Sequence, residues 1–279
     1  RANQITAIWK EPKKEIKEEQ YNEFYKFISN TEDTPLFHLH TSAEAPIQFS
    51  SILYCPSTNY ETYGFKKLEH GVHLYSNKIL IQSDCKLLLP EYLRFIHGVV
   101  DSSDIPLNIS RETFQDNRII HKMKSVLVKQ VLTLLQDMAK NEKEKYETFW
   151  RQFGRILKEG VHFDFENKDT LAQLMRFNSS MCKSPDELLS LKEYIDRMKP
   201  DQKEIYYITA VNRETMEKSP YLEIFRKKDI EVLYLTDPND EFLLSGLHEF
   251  EKKPIRSADQ ANLDLLKDSD KKILDTTEE

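Results

Sequence analysis

Ile205-Tyr-Tyr-Ile-Thr209 and Glu231-Val-Leu-Tyr-Leu-Thr236 are short runs rich in β-branched and aromatic residues. Such side chains suit a pleated, half-buried surface, so both runs read as strands. Pro220 to Lys228, between them, reads as a helix, and Asp237-Pro238 turns the chain into another helix around Glu241 to Leu247. Strands that alternate with helices are joined by crossovers, and crossovers make the strands parallel. The expectation over residues 200–254 is a small parallel-sheet α/β unit.

Upstream the hydrophobic period lengthens to that of a helix. Ser184-Pro-Asp-Glu187 reads as a helix start, with Ser as the cap, Pro at the first position and Glu three after the cap. That helix is expected to run through Leu188, Leu191, Ile195 and Met198. Tyr146, Phe149, Trp150, Phe153 and Leu157 mark an earlier helix. A longer one, from Arg111, carries Ile120, Met123, Leu127, Val131, Leu134 and Met138 on one stripe. Gly98 to Asn108 is a connector broken by Pro106. Further toward the N-terminus, 36–40, 47–54, 72–75 and 78–81 read as strands, with 16–29 and 88–96 as helices. The fold class expected is α/β with α+β mixing. A larger α/β sandwich subdomain spans 1–142 and includes the loop 104–115. A helical connector spans 143–199, the smaller α/β subdomain 200–254, and a charged boundary segment 255–279.

At 279 residues the chain exceeds a common single core, and 39% apolar content suffices for two. A net charge of −7 argues against nonspecific nucleic-acid binding, which needs a basic footprint. No run approaches the roughly 18–20 apolar residues of a membrane span. The opening Arg1-Ala-Asn-Gln-Ile-Thr-Ala has no signal-peptide core and does not begin with Met, as expected of a piece of a longer protein. Cys55, Cys85 and Cys182 are odd in number and far apart, which fits free thiols and a cytoplasmic setting.

An α/β chain invites a nucleotide-binding reading, but there are only six glycines, and they form neither G-x-G-x-x-G nor G-x-x-x-x-G-K. His38 with His40, and His70 with His73, could each offer two metal ligands but no evident third, so structural histidines and no metal are expected. Arg111 stands out. It follows Ser110 at a helix start, where the dipole favours anions and disfavours cations. An arginine beside free N–H groups can bind phosphate, and Gln115 would share its helix face. An ordinary surface pair with Glu112 is the other reading.

Gly98-Val-Val-Asp-Ser-Ser-Asp-Ile-Pro-Leu-Asn-Ile-Ser-Arg-Glu112 resembles the central motif of the ninety-kilodalton heat-shock chaperones. So do Trp9 with Tyr21-Asn-Glu-Phe-Tyr-Lys26, Leu89-Pro-Glu-Tyr-Leu-Arg-Phe95, Leu174-Met-Arg-Phe-Asn-Ser-Ser180, Glu217-Lys-Ser-Pro-Tyr221 and Glu231 to Pro238. Lys67-Leu-Glu-His-Gly-Val-His73 and Tyr146-Glu-Thr-Phe-Trp150 are similar to the bacterial, high-temperature protein G branch. The resemblance implies the middle segment of an ATP-dependent chaperone that assists protein folding under stress. Its implied partners are its own N-terminal ATPase domain, which holds ATP with Mg2+, and a C-terminal dimerisation domain. Client proteins and the seventy-kilodalton chaperone system complete the set. The whole protein is expected to be a homodimer, and this segment alone a monomer without nucleotide or turnover.

The resemblance also assigns roles. It implies that Arg111 reaches the γ-phosphate, with Gln115 and Asn108 in the same catalytic loop region. It implies client contacts at Trp9 and at the aromatic loop Tyr60, Tyr63 and Phe65, within the polar stretch Ser57 to Gly71. The alternative is that Trp9 packs on the first helix and the loop aromatics cover their own sheet. Two other functional readings stay open: a self-contained phosphotransferase and a passive interdomain spacer.

Overall fold

The structure is a computed structural model, and it describes residues 7–64, 69–106 and 118–261. The chain divides into two compact units, Arg1–Ile156 and Leu157–Glu279. The segment expected as a separate connector is therefore shared between them.

The first unit is built on one five-stranded sheet. Its strands are β1 (Phe37–Ala43), β2 (Phe49–Cys55), β3 (Gly71–Ser76), β4 (Ile79–Gln82) and β5 (His97–Asp101), in the order β1-β2-β5-β3-β4. Only β3 and β5 run parallel; the other neighbours are antiparallel. Alternation along the strands gives the sheet two apolar faces. Ile52, Tyr54 and Val99 pack with Tyr21, Phe24 and Tyr25 of helix α1 (Glu18–Ser29). On the other face Phe37 and Phe95 meet Phe149, at ring distances of 5.9 and 5.7 Å. Phe149 belongs to helix α3 (Lys143–Phe163), which follows α2 (Arg118–Asn141). Gly98 lets β5 lie close on β2: a Cβ there would stand 2.2 Å from the Ile52 carbonyl oxygen.

On α2 the expected stripe drifts. Leu135 is fully buried and Leu134 only half, so the apolar face is centred one residue later by its last turns. Residues 88–96, expected as a helix, yield only a 3₁₀ turn at Glu91–Leu93. Pro90 caps it in extended conformation and supplies no N–H.

The second unit holds another five-stranded sheet, ordered β6-β8-β7-β10-β9. Its strands are β6 (Asn178–Ser179), β7 (Ile205–Thr209), β8 (Leu233–Leu235), β9 (Glu249–Phe250) and β10 (Lys253–Ser257). The three central strands are parallel, as their crossover helices require, and both edges are antiparallel. β10 straddles the expected boundary at 254/255. The helices are α4 (Lys168–Leu174), α5 (Leu191–Arg197), α6 (Arg213–Glu217), α7 (Glu223–Lys227) and α8 (Asp240–Gly246). Tyr206, Ile208, Met216, Phe225, Val232 and Tyr234 share the core. The helix expected from Ser184 begins instead after Ser190. Asn178 Nδ2 binds the carbonyls of Ser184 and Glu187, and Leu189 pairs with Phe177, so that stretch stays extended.

Candidate functional site

Asn108, Arg111 and Gln115 lie outside the described residues, as does Phe65. The approach to the loop 104–115 is described as far as Pro106, and it is held by a dense set of hydrogen bonds. Ser102 donates its hydroxyl to the Gln48 carbonyl at 2.6 Å and its N–H to the Tyr75 carbonyl at 3.1 Å. Gln48 N–H donates to Asp104 Oδ2 at 2.9 Å, and Ser76 donates to the Ile105 carbonyl at 2.6 Å. Ile105 is buried. The start of β2 and the end of β3 thus hold the chain as it leaves β5.

Trp9 is placed at this root, not on the surface. It is 6% exposed, and its indole ring lies 5.6 Å from Phe24 and 5.2 Å from Tyr75. Its N–H donates to Asp101 Oδ2 at 2.9 Å. Of the two readings of Trp9, its burial matches packing on the first helix: the ring covers α1 and the end of the sheet. A ring with one polar atom can be buried when that atom finds an acceptor, and Asp101 provides it. Burial, with the nearby Asp101 charge, raises the Tyr75 phenol above its ordinary value.

The aromatic loop is partly described. Tyr60–Tyr63 forms a 3₁₀ turn, capped by Asn59, whose side chain accepts from the Glu61 N–H. Arg94 clamps Glu61 through two bonds of 3.0 and 3.1 Å, and Asn59 donates two hydrogen bonds to Gln152, from its backbone N–H to Oε1 and from Nδ2 to the carbonyl. The Tyr60 ring is 45% exposed, whereas the Tyr63 side chain lies outside the described residues.

Sequence reading missed a more exposed aromatic group on the second unit. Phe163, Phe165 and Phe242 are 72%, 79% and 59% exposed. Phe163 and Phe242 flank His162, with ring centroids 4.8 and 6.3 Å away, and Ser245 holds the His162 ring at 3.0 Å. α8 comes close enough for this because Gly246 has no Cβ; one there would stand 2.9 Å from the Val161 carbonyl oxygen. A signal existed: in Phe163-Asp-Phe-Glu166 the aromatics alternate with acids beyond the end of the α3 stripe.

His38, His40 and His70 of the first unit are internal partners. His40 shares a 2.7 Å hydrogen bond with Tyr21, on whose ring His38 stacks at 4.0 Å. Burial lowers both histidines below their ordinary value. His70 meets Glu91 at 2.9 Å. Among the described residues no cluster of three or more His, Cys, Asp or Glu could hold a metal ion. The three cysteines are buried and unpaired with one another; burial pushes the Cys55 and Cys85 thiols up, away from the reactive thiolate. Among the described residues no helix is long and apolar enough to cross a membrane.

Two α/β units, the first with Ser102, Asp104 and Ile105 held by hydrogen bonds, are what the resemblance at Gly98–Glu112 leads one to expect. The Hsp90 protein family matches residues 1–279, and the chain belongs to that family. Its relatives named Chaperone protein HtpG place it on the bacterial branch. That of Hydrogenovibrio crunogenus is 48% identical over 264 residues, covering 94% of this chain and 42% of the relative. That of Desulfotalea psychrophila is 46% identical over 266 residues, 95% and 43% of the two chains. The Coxiella burnetii protein is 45% identical over 263 residues, 94% and 42%. The chain spans less than half the length of these relatives.

Proposed function

We propose that this chain is the middle segment of an ATP-dependent, cytoplasmic chaperone, and that it supplies Arg111 to the γ-phosphate of ATP held by a preceding domain. The observation that carries the reading is the family match together with the hydrogen-bonded root from which the Arg111 loop departs. A guanidinium brought to the transferring phosphoryl group stabilises the charge that develops there, and a rigid root lowers the reorganisation needed to place it. Gln115 and Asn108 act in the same loop, and the general base and Mg2+ belong to the domain that binds ATP. Gly71 and Gly98, which pack against His97 and Ile52, cannot serve as a phosphate cradle here. That fits a nucleotide held elsewhere and disfavours a self-contained phosphotransferase.

Client proteins are the second half of the reading. Phe163, Phe165 and Phe242 are large exposed rings among charges, suited to weak contacts with partly folded chains. They are better placed for this than Trp9.

The test mixes the separate ATP-binding domain with this chain and measures turnover. Stimulation is expected, and Arg111→Ala in the full-length protein should lower kcat by roughly a hundredfold or more while ATP affinity changes little. Wild-type turnover of that variant would favour a passive spacer; turnover by this chain alone would favour a phosphotransferase. In a second arm, Phe163→Ser with Phe242→Ser should weaken binding of an unfolded reporter protein. Undiminished binding removes the patch from the proposal.

A further inference from the structure

His40 lies on the edge strand β1, yet its ring is turned into the protein and the residue is 8% exposed. Two groups hold it. The Tyr21 hydroxyl, from the first turns of α1, is 2.7 Å from Nδ1. The Trp9 backbone is a second hydrogen-bond partner, and it favours the charged ring, as a carbonyl acceptor does. A neutral imidazole has one N–H and one bare nitrogen. With the N–H given to the Trp9 carbonyl, Nδ1 is the bare nitrogen and accepts from Tyr21. His38, two residues along the strand, stacks on the Tyr21 ring with centroids 4.0 Å apart. The Tyr21 carbonyl in turn accepts the Tyr54 hydroxyl of β2 at 3.0 Å.

This fastening suits one protonation state. A protonated His40 carries a proton on both nitrogens. It keeps the Trp9 carbonyl, but Nδ1 then points a donor at a hydroxyl whose own proton was aimed at it. Tyr21 must turn its O–H away and give up that bond in the interior, where a lost hydrogen bond is costly. The charges that face the pair do little to offset this. Lys13, from the 3₁₀ turn Lys13–Glu15, repels a charge on either ring, and Lys145 of α3 repels one on His38. The two histidines also repel each other. Glu18 of α1 is the opposing acid; it lies 3.5 Å from His38 Nδ1 with its side chain 66% exposed.

We propose that Tyr21, His40 and His38 form an acid-sensitive latch: neutral His40 fastens the first turns of α1 to the edge strand β1, and its protonation unfastens them. The latch shares no residue with the Arg111 reading and stands apart from it. Ile16, Tyr21 and Phe24 pack here with Trp9, Ile52 and Tyr54, an aromatic surface that opening uncovers. The sign follows from burial, which lowers His40 in the folded protein below its ordinary value of 6.5. The fastening is complete above the open-form value and is lost as pH falls toward the folded one. An open-form ring near 6.5 limits the gain in opening to about tenfold for one pH unit below that value.

The experiment follows amide hydrogen exchange of the 279-residue chain from about pH 8 to about pH 5.5. α1 is read against α2, which contributes none of the groups named above, with the intrinsic exchange rate at each pH divided out. Opening of α1 relative to α2 should rise about fivefold to tenfold on acidification. His40→Asn keeps an acceptor for Tyr21 and does not titrate, so the rise should shrink to less than about twofold. His38→Asn should keep most of it. A flat ratio in the wild type overturns the latch, and so does a rise that survives undiminished in His40→Asn. Should His40→Asn fail to fold, the His40 ring is titrated by NMR in the wild type. A midpoint below 6.5, with α1 exchange rising over the same range, upholds the latch; a midpoint at or above 6.5 overturns it.

Discussion

Asp101 in the first unit and Glu231 in the second are both buried acids beside strands, and they are held by different kinds of partner. Asp101 Oδ2 accepts an indole N–H and a backbone N–H, donors that neither titrate nor swing away. Glu231 Oε1 accepts the Ser179 hydroxyl at 2.5 Å and lies 3.4 Å from Arg197, while Oε2 has no hydrogen-bond partner. Burial raises its carboxyl above the ordinary value of 4.5, with Ser179 and Arg197 opposing and Glu187 adding to the shift. Asp240, a second buried acid among the described residues of that unit, has Lys158 at 2.6 Å and accepts the Asp237 N–H at 3.0 Å, yet burial still raises it. Asp101 thus has two fixed N–H donors with Lys10 at 3.5 Å, Asp240 one backbone N–H with Lys158 at 2.6 Å, and Glu231 a hydroxyl and an arginine. The first arrangement ties the end of β5 to its neighbours through donors of fixed direction. The second concentrates the unit's sensitivity in a few replaceable charges.

The strongest break of that contrast is Lys158→Met. Lys158 ties α3 to the start of α8 through Asp240, with Asp237 at 3.5 Å, and its side chain is almost wholly buried. Removing the charge while keeping most of the stem leaves Asp240 buried and uncompensated. The expected loss is about 3–5 kcal/mol, read from the denaturant midpoint at constant slope. Lys158→Met combined with Asp240→Leu should recover most of it, because two apolar groups need no compensation. A single-variant loss below about 1 kcal/mol would mean that Asp240 does not depend on its cation.

A smaller effect, with a definite sign, is expected of Glu231. Its folded-state value is raised, so its protonated form is favoured by folding. The stability it contributes is present below the unfolded value and is lost as pH rises through the folded one. Glu231→Gln removes that loss. The variant should gain on the wild type as pH climbs from about 4.5, measured as the difference in Tm across the series. Asp240 carries a shift of the same sign, so the slope should flatten rather than vanish. A difference that shrinks with rising pH would contradict the assignment.

What could be read from the sequence follows from where the determining contacts lie. α1, α2 and α3 announce themselves because each buries a periodic face, and β2 and β7 because their side chains pack from the strand itself. β10 was not legible: Lys253-Pro-Ile-Arg-Ser257 has no apolar alternation and is held by backbone pairing to β7 and β9. β6 and β9 are two residues each, below any period. Trp9 was ambiguous for a different reason, since its partner Asp101 lies 92 residues away and local pattern cannot see it. The Arg111 loop was legible as a motif, while the bonds that hold its root come from Gln48, Tyr75 and Ser76, which no spacing connects.

The smallest predicted effect concerns a helix start, and it separates two nearly identical signals. Ser184-Pro-Asp-Glu187 and Ser190-Leu-Lys-Glu193 both place Ser three residues before Glu. Only the second is used as a cap: Ser190 Oγ accepts the Glu193 N–H at 3.1 Å, and Glu193 Oε2 accepts the Ser190 N–H at 2.7 Å. At the first, Glu187 Oε2 is taken by the Lys183 N–H, and the backbone at Leu189 pairs both ways with Phe177, at 2.9 and 2.8 Å. A helix begun at Ser184 would forfeit that bridge and the carbonyls bound by Asn178, and the longer-range pairing wins. Ser190→Ala should therefore cost about 1 kcal/mol, and Ser184→Ala less than about 0.5, by denaturant midpoint. The reverse ranking would move the helix start back to Ser184, with Phe177 and Leu189 unpaired.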